Sequence, residues 1–200
     1  MTSRPLFITP FYHGQLDDPA LLAELAMAVR DLAREDRAGR AWSRANGYRG
    51  YTSYASLNDL PQRDPGFAAL RRQLDRHVAA FAKDCAFDLG NRRLKLDSLW
   101  VNLMRPGATH SGHLHPHSVV SGTLYVEVPA GSGALRLEDP RLPMMMASPL
   151  RRDDAPEGLR TFVHAEPDSG SVFLWESWLR HEVMPHTGKG DRISVSFNYA

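Results

Sequence analysis

Apolar residues recur at helical spacing twice in the first ninety residues. One stripe begins after Asp18, which suits the capping position before a proline, and the second begins in the same way after Asp64. The period of 3.6 predicts amphipathic helices over about residues 19–36 and from residue 65 onward. Cys85 ends the second stripe and is predicted to be a small buried hydrophobe.

Two other N-terminal segments show no such period. Leu6, Phe7 and Ile8 form a short apolar stretch between prolines, which suits an edge strand or an arm. Residues 37–63 are rich in glycine, serine, tyrosine and asparagine and are predicted to be an irregular connection.

After residue 90 the period changes to 2, which is typical of strands. The alternation predicts eight short strands, over residues 94–104, 113–118, 121–128, 134–138, 160–165, 171–175, 181–185 and 192–199. Eight strands after two helices predict a mainly β fold, a barrel or jelly roll with the two N-terminal helices packed outside one sheet. We therefore expect a single domain, residues 1–200, with a helical part over 1–90 and a jelly-roll core over 91–200.

Residues 139–159 break the strand pattern with prolines, three methionines and charges of both signs. A segment of this length could be a surface loop, a flap over a site or part of a homodimer interface.

Composition narrows the classes of partner and compartment. The 200 residues contain 24 Lys plus Arg against 23 Asp plus Glu, a net charge of +1. That balance leaves no basic excess for nucleic acid. No apolar run approaches the ~20 residues that span a bilayer, and the first residues lack the pattern of a secretory signal. The single cysteine fits a reducing compartment, so we expect a cytoplasmic protein with no membrane partner.

Histidine is the unusual residue of this chain, with nine copies, four of them within residues 110–117. His113 and His115 stand at positions i and i+2, which point to the same side of a strand and can share a metal. His181, at the start of a later strand, is the candidate third ligand, because a rolled sheet can bring it to the other two. This trio predicts a metal centre.

The last strand alternates sharply between two faces. Ile193, Val195 and Phe197 form the apolar face. The polar face begins with Arg192 and continues with Ser194. The polar face is either a wet outer surface or the inside of the barrel, where an arginine needs an anion.

The remaining histidines and tryptophans are predicted to have structural or surface roles. His117 is expected at the rim, and His110 and His186 are expected in solvated turns. Trp175 and Trp178 are expected to pack in the core or at the rim rather than to take part in chemistry.

Taken together, the sequence resembles the 2-oxoglutarate/Fe(II) oxygenases of the small bacterial and phage type. The resemblance covers most of the chain and rests on Trp100-x-Asn102, Gly107, His113-x-His115-Pro116, Ser121-Gly122-x-x-Tyr125, Asp139-Pro140-Arg141, Ser177-Trp178-Leu179-x-His181-x-Val183 and Arg192-x-Ser194-x-Ser196-Phe197-Asn198.

The resemblance implies a double-stranded β-helix and an enzyme that oxidises a substrate with Fe(II) and 2-oxoglutarate, giving succinate and CO2. It implies that His113, His115 and His181 hold the iron. For the cosubstrate, it implies an anchor at Arg192 with Ser194 assisting, and a pocket lined by Asn102 and Tyr125. The substrate, a small molecule or a side chain, is not indicated.

One departure concerns the ligand set. The wider superfamily uses two histidines and a carboxylate, whereas here the carboxylate position is His115. Three histidines also suit a dioxygenase that needs no 2-oxoglutarate, in which Arg192 would bind the substrate, or a non-catalytic module that holds zinc.

Overall fold

Four α-helices and ten β-strands are present in the computed structural model, which describes residues 2–200. The helices are α1 (Pro19–Glu35), α2 (Arg37–Ala45), α3 (Leu60–Arg63) and α4 (Pro65–Asp84). The strands are β1 (Phe11–Gln15), β2 (Gly50–Thr52), β3 (Leu96–Met104), β4 (His110–His113), β5 (Val120–Glu127), β6 (Leu135–Glu138), β7 (Phe162–Ala165), β8 (Ser171–Glu176), β9 (His181–Val183) and β10 (Arg192–Tyr199).

The strands form two antiparallel sheets. The larger has the order β1-β8-β5-β10-β3-β2 and the smaller the order β4-β9-β6-β7. Every paired strand is antiparallel, and neighbours in the sheets are mostly distant in sequence. This confirms the mainly β fold, a double-stranded β-helix.

The two long helices cover one face of the six-stranded sheet. The Asp18 carboxylate accepts the Leu21 N–H at the start of α1, and the Asp64 carboxylate accepts the Gly66 and Phe67 N–H groups at the start of α4. Their apolar stripes bury residues such as Leu25 against the outward face of the sheet. The main core therefore lies outside the roll, as the predicted pair of outer helices requires, and a smaller apolar cluster lies between the sheets.

The prediction for residues 37–63 was wrong. This segment contains α2, β2 and α3 rather than an irregular connection. Helix α2 escapes detection because only Gly39 and Ser43 are buried on it, so it has no apolar stripe. The first ninety residues are also not purely helical, since β1 and β2 form the two edges of the larger sheet.

The strand predicted over 113–118 was also wrong, since β4 spans His110–His113 and ends there. Residues 139–159 lie on the surface with two short 3-10 turns, and Met144, Met146 and Leu150 are exposed. Within residues 2–200, none of the helices is both long enough and apolar enough to cross a bilayer.

Candidate metal centre

Three histidines from distant parts of the chain meet between the two sheets. His113 ends β4 and stands opposite His181, the first residue of β9, while His115 lies two residues beyond β4. One nitrogen of each lies within 4.8 Å of one nitrogen of the others, and no carboxylate of residues 2–200 joins the group. Three imidazole nitrogens from separate strands and so close together are the kind of donor set that binds one metal, with bonds of about 2.1 Å.

Each of these imidazoles is oriented through its Nδ1 atom. The Nδ1–H of His113 donates to the Ser111 carbonyl and that of His181 to the Leu179 carbonyl, both at 2.8 Å. With Nδ1 protonated and engaged, the lone pair of Nε2 is the free ligand atom. The donor set is thus three neutral Nε2 atoms, which fits Fe(II) or another transition metal.

His115 is held by two residues of the resemblance motifs, Asn198 and Ser121, to which the sequence assigned no role. Its Nδ1 lies 2.6 Å from Asn198 Oδ1 and 2.8 Å from Ser121 Oγ. The Asn198 amide nitrogen donates to Ser98 Oγ at 3.0 Å, which turns the amide oxygen toward the imidazole. His115 therefore reaches the centre although the chain has already left β4. The sequence contained one indication for Asn198: it is an even number of residues from Arg192 and therefore lies on the same face of β10.

Burial sets the protonation of the trio. It lowers the pKa of His113 and His115, and it lowers the pKa of His181 to about 3, with the neighbouring His113 adding to the effect. Neutral imidazole is the form that binds metals. The three imidazoles are therefore in their metal-binding form at neutral pH.

Arg192 lies in the wall of the same cavity and is 1% exposed. Its Nη1 donates to the Met104 sulfur at 3.1 Å, and its Cζ atom lies 4.9 Å from the centre of the Tyr125 ring. Its Nε has no hydrogen-bond partner within residues 2–200. A thioether is a weak acceptor, so this buried cation lacks the anion that would compensate its charge.

The other predicted pocket residues lie beside one another across three strands. In the register, Ser194 of β10 stands opposite Asn102 of β3 on one side and Tyr125 of β5 on the other. All three are buried and line the cavity. The Asn102 amide already has protein partners, since it accepts the Tyr48 hydroxyl at 3.3 Å and donates to Ser196 at 3.1 Å. Tyr48 is a lining residue that the sequence did not indicate.

Two of the remaining histidines differ from expectation. His110 is not in a turn but on β4, with its ring stacked 4.3 Å from that of His113. His186 is fully buried rather than solvated, because its two nitrogens contact the carbonyls of Gly131 and Gly190. His117 is exposed outside the cavity, with a φ of 71°.

The cavity is small, with a volume of about 40 Å3. The cavity runs from the three histidines to Arg192, so a ligand that reaches both ends needs a metal-binding group at one end and an anionic group at the other.

Residues 98–198, slightly more than half of the 200-residue chain, match the sequence family described as "Putative 2OG-Fe(II) oxygenase". The match contains the three histidines and the whole polar face of β10. No curated protein sequence matches the chain.

Several solved structures share the fold over 96% of this chain. A Pseudomonas putida prolyl-4-hydroxylase has a TM-score of 0.63 at 19% identity, with 92% of that chain covered. HygX from Streptomyces hygroscopicus with nickel and 2-oxoglutarate bound has a TM-score of 0.62 at 17% identity, with 82% covered. The non-heme alpha ketoglutarate dependent epimerase SnoN from nogalamycin biosynthesis has a TM-score of 0.66 at 17% identity, with 78% covered. At such identities the similarity establishes the fold.

Proposed function

This chain belongs to the family of 2OG-Fe(II) oxygenases, and we propose that the Nε2 atoms of His113, His115 and His181 hold its iron. The family is Fe(II)- and 2-oxoglutarate-dependent, so the chain is an oxidoreductase of the dioxygenase class. The family match therefore argues against the two alternatives, a dioxygenase that needs no 2-oxoglutarate and a non-catalytic zinc module.

The cosubstrate anchor that we propose is Arg192. The observation that carries this assignment is a buried guanidinium with an unpartnered Nε in the same cavity as the three histidines. A planar guanidinium donates two parallel N–H groups to a carboxylate, and the far carboxylate of 2-oxoglutarate supplies the missing charge. Three neutral imidazoles leave the full 2+ charge of the metal to the dianionic cosubstrate, so both ends of the cavity favour a diacid.

Other residues of the chain are proposed to enclose the cosubstrate and to orient the metal ligands. Ser194 is buried in the cavity wall two residues from Arg192 on the same face, and its proposed role is to assist the anchor through its hydroxyl, while Asn102 and Tyr125 line the rest of the pocket. Asn198 and Ser121 keep the proton of His115 on Nδ1. Bound iron and cosubstrate supply the oxidising chemistry, with succinate and CO2 as co-products, while the protein positions reactants and excludes water.

The test of the metal assignment is the affinity of histidine variants for Fe(II), measured without oxygen. His113→Gln and His181→Gln should each bind iron at least about 100-fold more weakly than the wild type, since each removes a ligand. His164→Gln is the matched control, because His164 lies exposed on β7. Unchanged affinity in the first two variants would refute the assignment.

The test of the anchor is a titration of the anaerobic Fe(II) protein with 2-oxoglutarate. We expect a visible charge-transfer band that saturates in the wild type, and in Arg192→Met only at much higher concentration. Iron binding without any such band would contradict the proposed use of this pocket by the cosubstrate. Succinate release in a screen of small molecules and peptides then identifies the substrate.

For substrate and setting, we propose a small molecule or a side chain, oxidised in the cytoplasm, with no nucleic-acid or membrane partner. The support is the balanced charge and the single cysteine. A homodimer that uses the exposed segment 139–159 is the proposed assembly, and the mass of the protein in solution tests it.

A further inference from the structure

Two buried side-chain atoms within residues 2–200 have no hydrogen-bond partner, and both belong to the cavity wall. One is Nε of Arg192, and the other is the indole Nε1 of Trp175. The indole nitrogen is a donor only, and a buried donor without an acceptor destabilises the folded protein. Trp175, expected from the sequence to be packing, therefore has an unused polar group in the site.

Trp175 lies at the metal end of the cavity. Its ring centre is 4.6 Å from that of His181, and in the sheet it stands opposite Ser121, which contacts His115. Arg192 lies at the other end, opposite Met104 on β3. The two unpartnered donors thus mark both ends of one ligand site.

Nothing across the strands from Trp175 can accept its proton. On β1 it faces Phe11, which has no polar side-chain atom. On β5 it faces Ser121, whose hydroxyl already contacts His115, Ser177 and Asn198. A ligand in the cavity can supply the acceptor that these neighbours do not.

We infer that the Nε1–H of Trp175 donates a hydrogen bond to the keto-acid end of the cosubstrate, at the carboxylate next to the metal. This inference rests on the proposed function, because it takes 2-oxoglutarate as the ligand. The indole is a positioning group: it fixes how the keto acid meets the metal, while Arg192 fixes the far carboxylate. A carboxylate is a charged acceptor, which makes such a bond short and strong.

The experiment compares two probes on Zn(II)-loaded protein, 2-oxoglutarate and oxalate, by calorimetry. Oxalate reproduces the keto-acid end and is too short to reach Arg192. Trp175→Phe should weaken both probes about tenfold, whereas Arg192→Met should weaken 2-oxoglutarate alone. Trp178→Phe, which changes a half-exposed tryptophan three residues away, is the matched control and should leave both affinities unchanged.

A second measurement uses the wild-type protein, so that it does not depend on the folding of Trp175→Phe. Of the four indole N–H signals in a nitrogen-15 spectrum, that of Trp175 should move downfield when oxalate is added to the Zn(II) protein. Phe variants of Trp42, Trp100 and Trp178 assign it by elimination.

The outcomes separate the two proposals. If the loaded wild type binds neither probe, the proposed function fails. If it binds 2-oxoglutarate but Trp175→Phe binds both probes as tightly as the wild type, or if the Trp175 signal does not move, the role of Trp175 is overturned and the proposed function stands.

Discussion

The two faces of strand β10 are buried in different ways. Toward the helices it presents Ile193, Val195 and Phe197, each fully buried in the main core. Toward the smaller sheet it presents Arg192 and a row of polar side chains, of which Ser196 and Asn198 form hydrogen bonds with side chains of other segments. Burial of apolar area on the helix face stabilises the fold. On the other face, hydrogen bonds fix the positions of the side chains that line the cavity.

This difference explains how the fold tolerates unsatisfied groups. The helix face is closed and apolar, so its contribution does not depend on a ligand. On the cavity face, the fully buried side-chain nitrogens of residues 2–200 that lack a hydrogen-bond partner are Nε1 of Trp175 and Nε of Arg192, and both lie where a ligand would bind. Binding should therefore stabilise the cavity face and leave the helix face unchanged.

The largest expected effect is on the helix face. Phe197→Ala should lower the free energy of unfolding by about 3–5 kcal/mol, because it opens a cavity in a filled core. Denaturant unfolding measures it. Its neighbour on the other face, Ser196→Ala, should cost about 1 kcal/mol, since it removes only contacts with Asn102 and Thr123. If both variants lost the same free energy of unfolding, the proposed difference between the two faces would be wrong.

Arg192→Met should have opposite effects on stability and on binding. It removes a buried, uncompensated charge, so the ligand-free protein should become more stable by at least about 1 kcal/mol. The affinity for 2-oxoglutarate should fall by about 100-fold. Thermal unfolding with and without ligand measures both, with Arg93→Met on the exposed surface as the control. A less stable ligand-free variant would contradict the account of this residue.

Asn198→Ala should lower metal affinity by about tenfold, because the Nδ1–H of His115 loses the acceptor at 2.6 Å that fixes its ring. Competition with a coloured chelator measures the affinity. Asn58→Ala, at an exposed position, provides the baseline. Wild-type affinity in Asn198→Ala would show that Ser121 alone holds the imidazole.

The smallest effect concerns pH and lies on the helix side. Burial lowers the pKa of His77, which contacts the Tyr12 hydroxyl at 2.9 Å, and Arg76 adds to the effect. The unfolded chain binds this proton near pH 6.5 and the folded protein does so only at lower pH. Stability should therefore fall as pH drops below about 6.5. His77→Gln should show a shallower decline than the wild type in unfolding experiments at several pH values, and His164→Gln should not.

Local periodicity predicted the helices and strands that bury a single apolar face. The alternation over 192–199 gave β10 with the observed bounds, and its parity placed Arg192 and Ser194 on one face. The capping pairs at Asp18 and Asp64 gave the two long helices. In each case one side of the strand or helix is buried, so the spacing of apolar residues along the sequence is enough to predict the element.

The rest depended on contacts between distant segments. His115 sits beyond the end of β4, and its place is set by Asn198 and Ser121 rather than by strand parity. His186 is buried because two loops fold around its ring and offer carbonyls from both sides. The unpartnered nitrogen of Trp175 becomes visible only when all of its neighbours are known. No local pattern encodes such arrangements.

Strand β10 also fixes a length. It contains Arg192 at one end and Asn198, the support of His115, at the other, and it is hydrogen-bonded on both sides to β3 and β5. Six residues of strand span about 20 Å, which is longer than a five-carbon diacid, so the side chains at the two ends must cover the rest of the distance. The hydrogen-bonded backbone fixes where those side chains start, and a diacid one carbon shorter or longer than 2-oxoglutarate should therefore bind less well, because neither end of the strand can follow it.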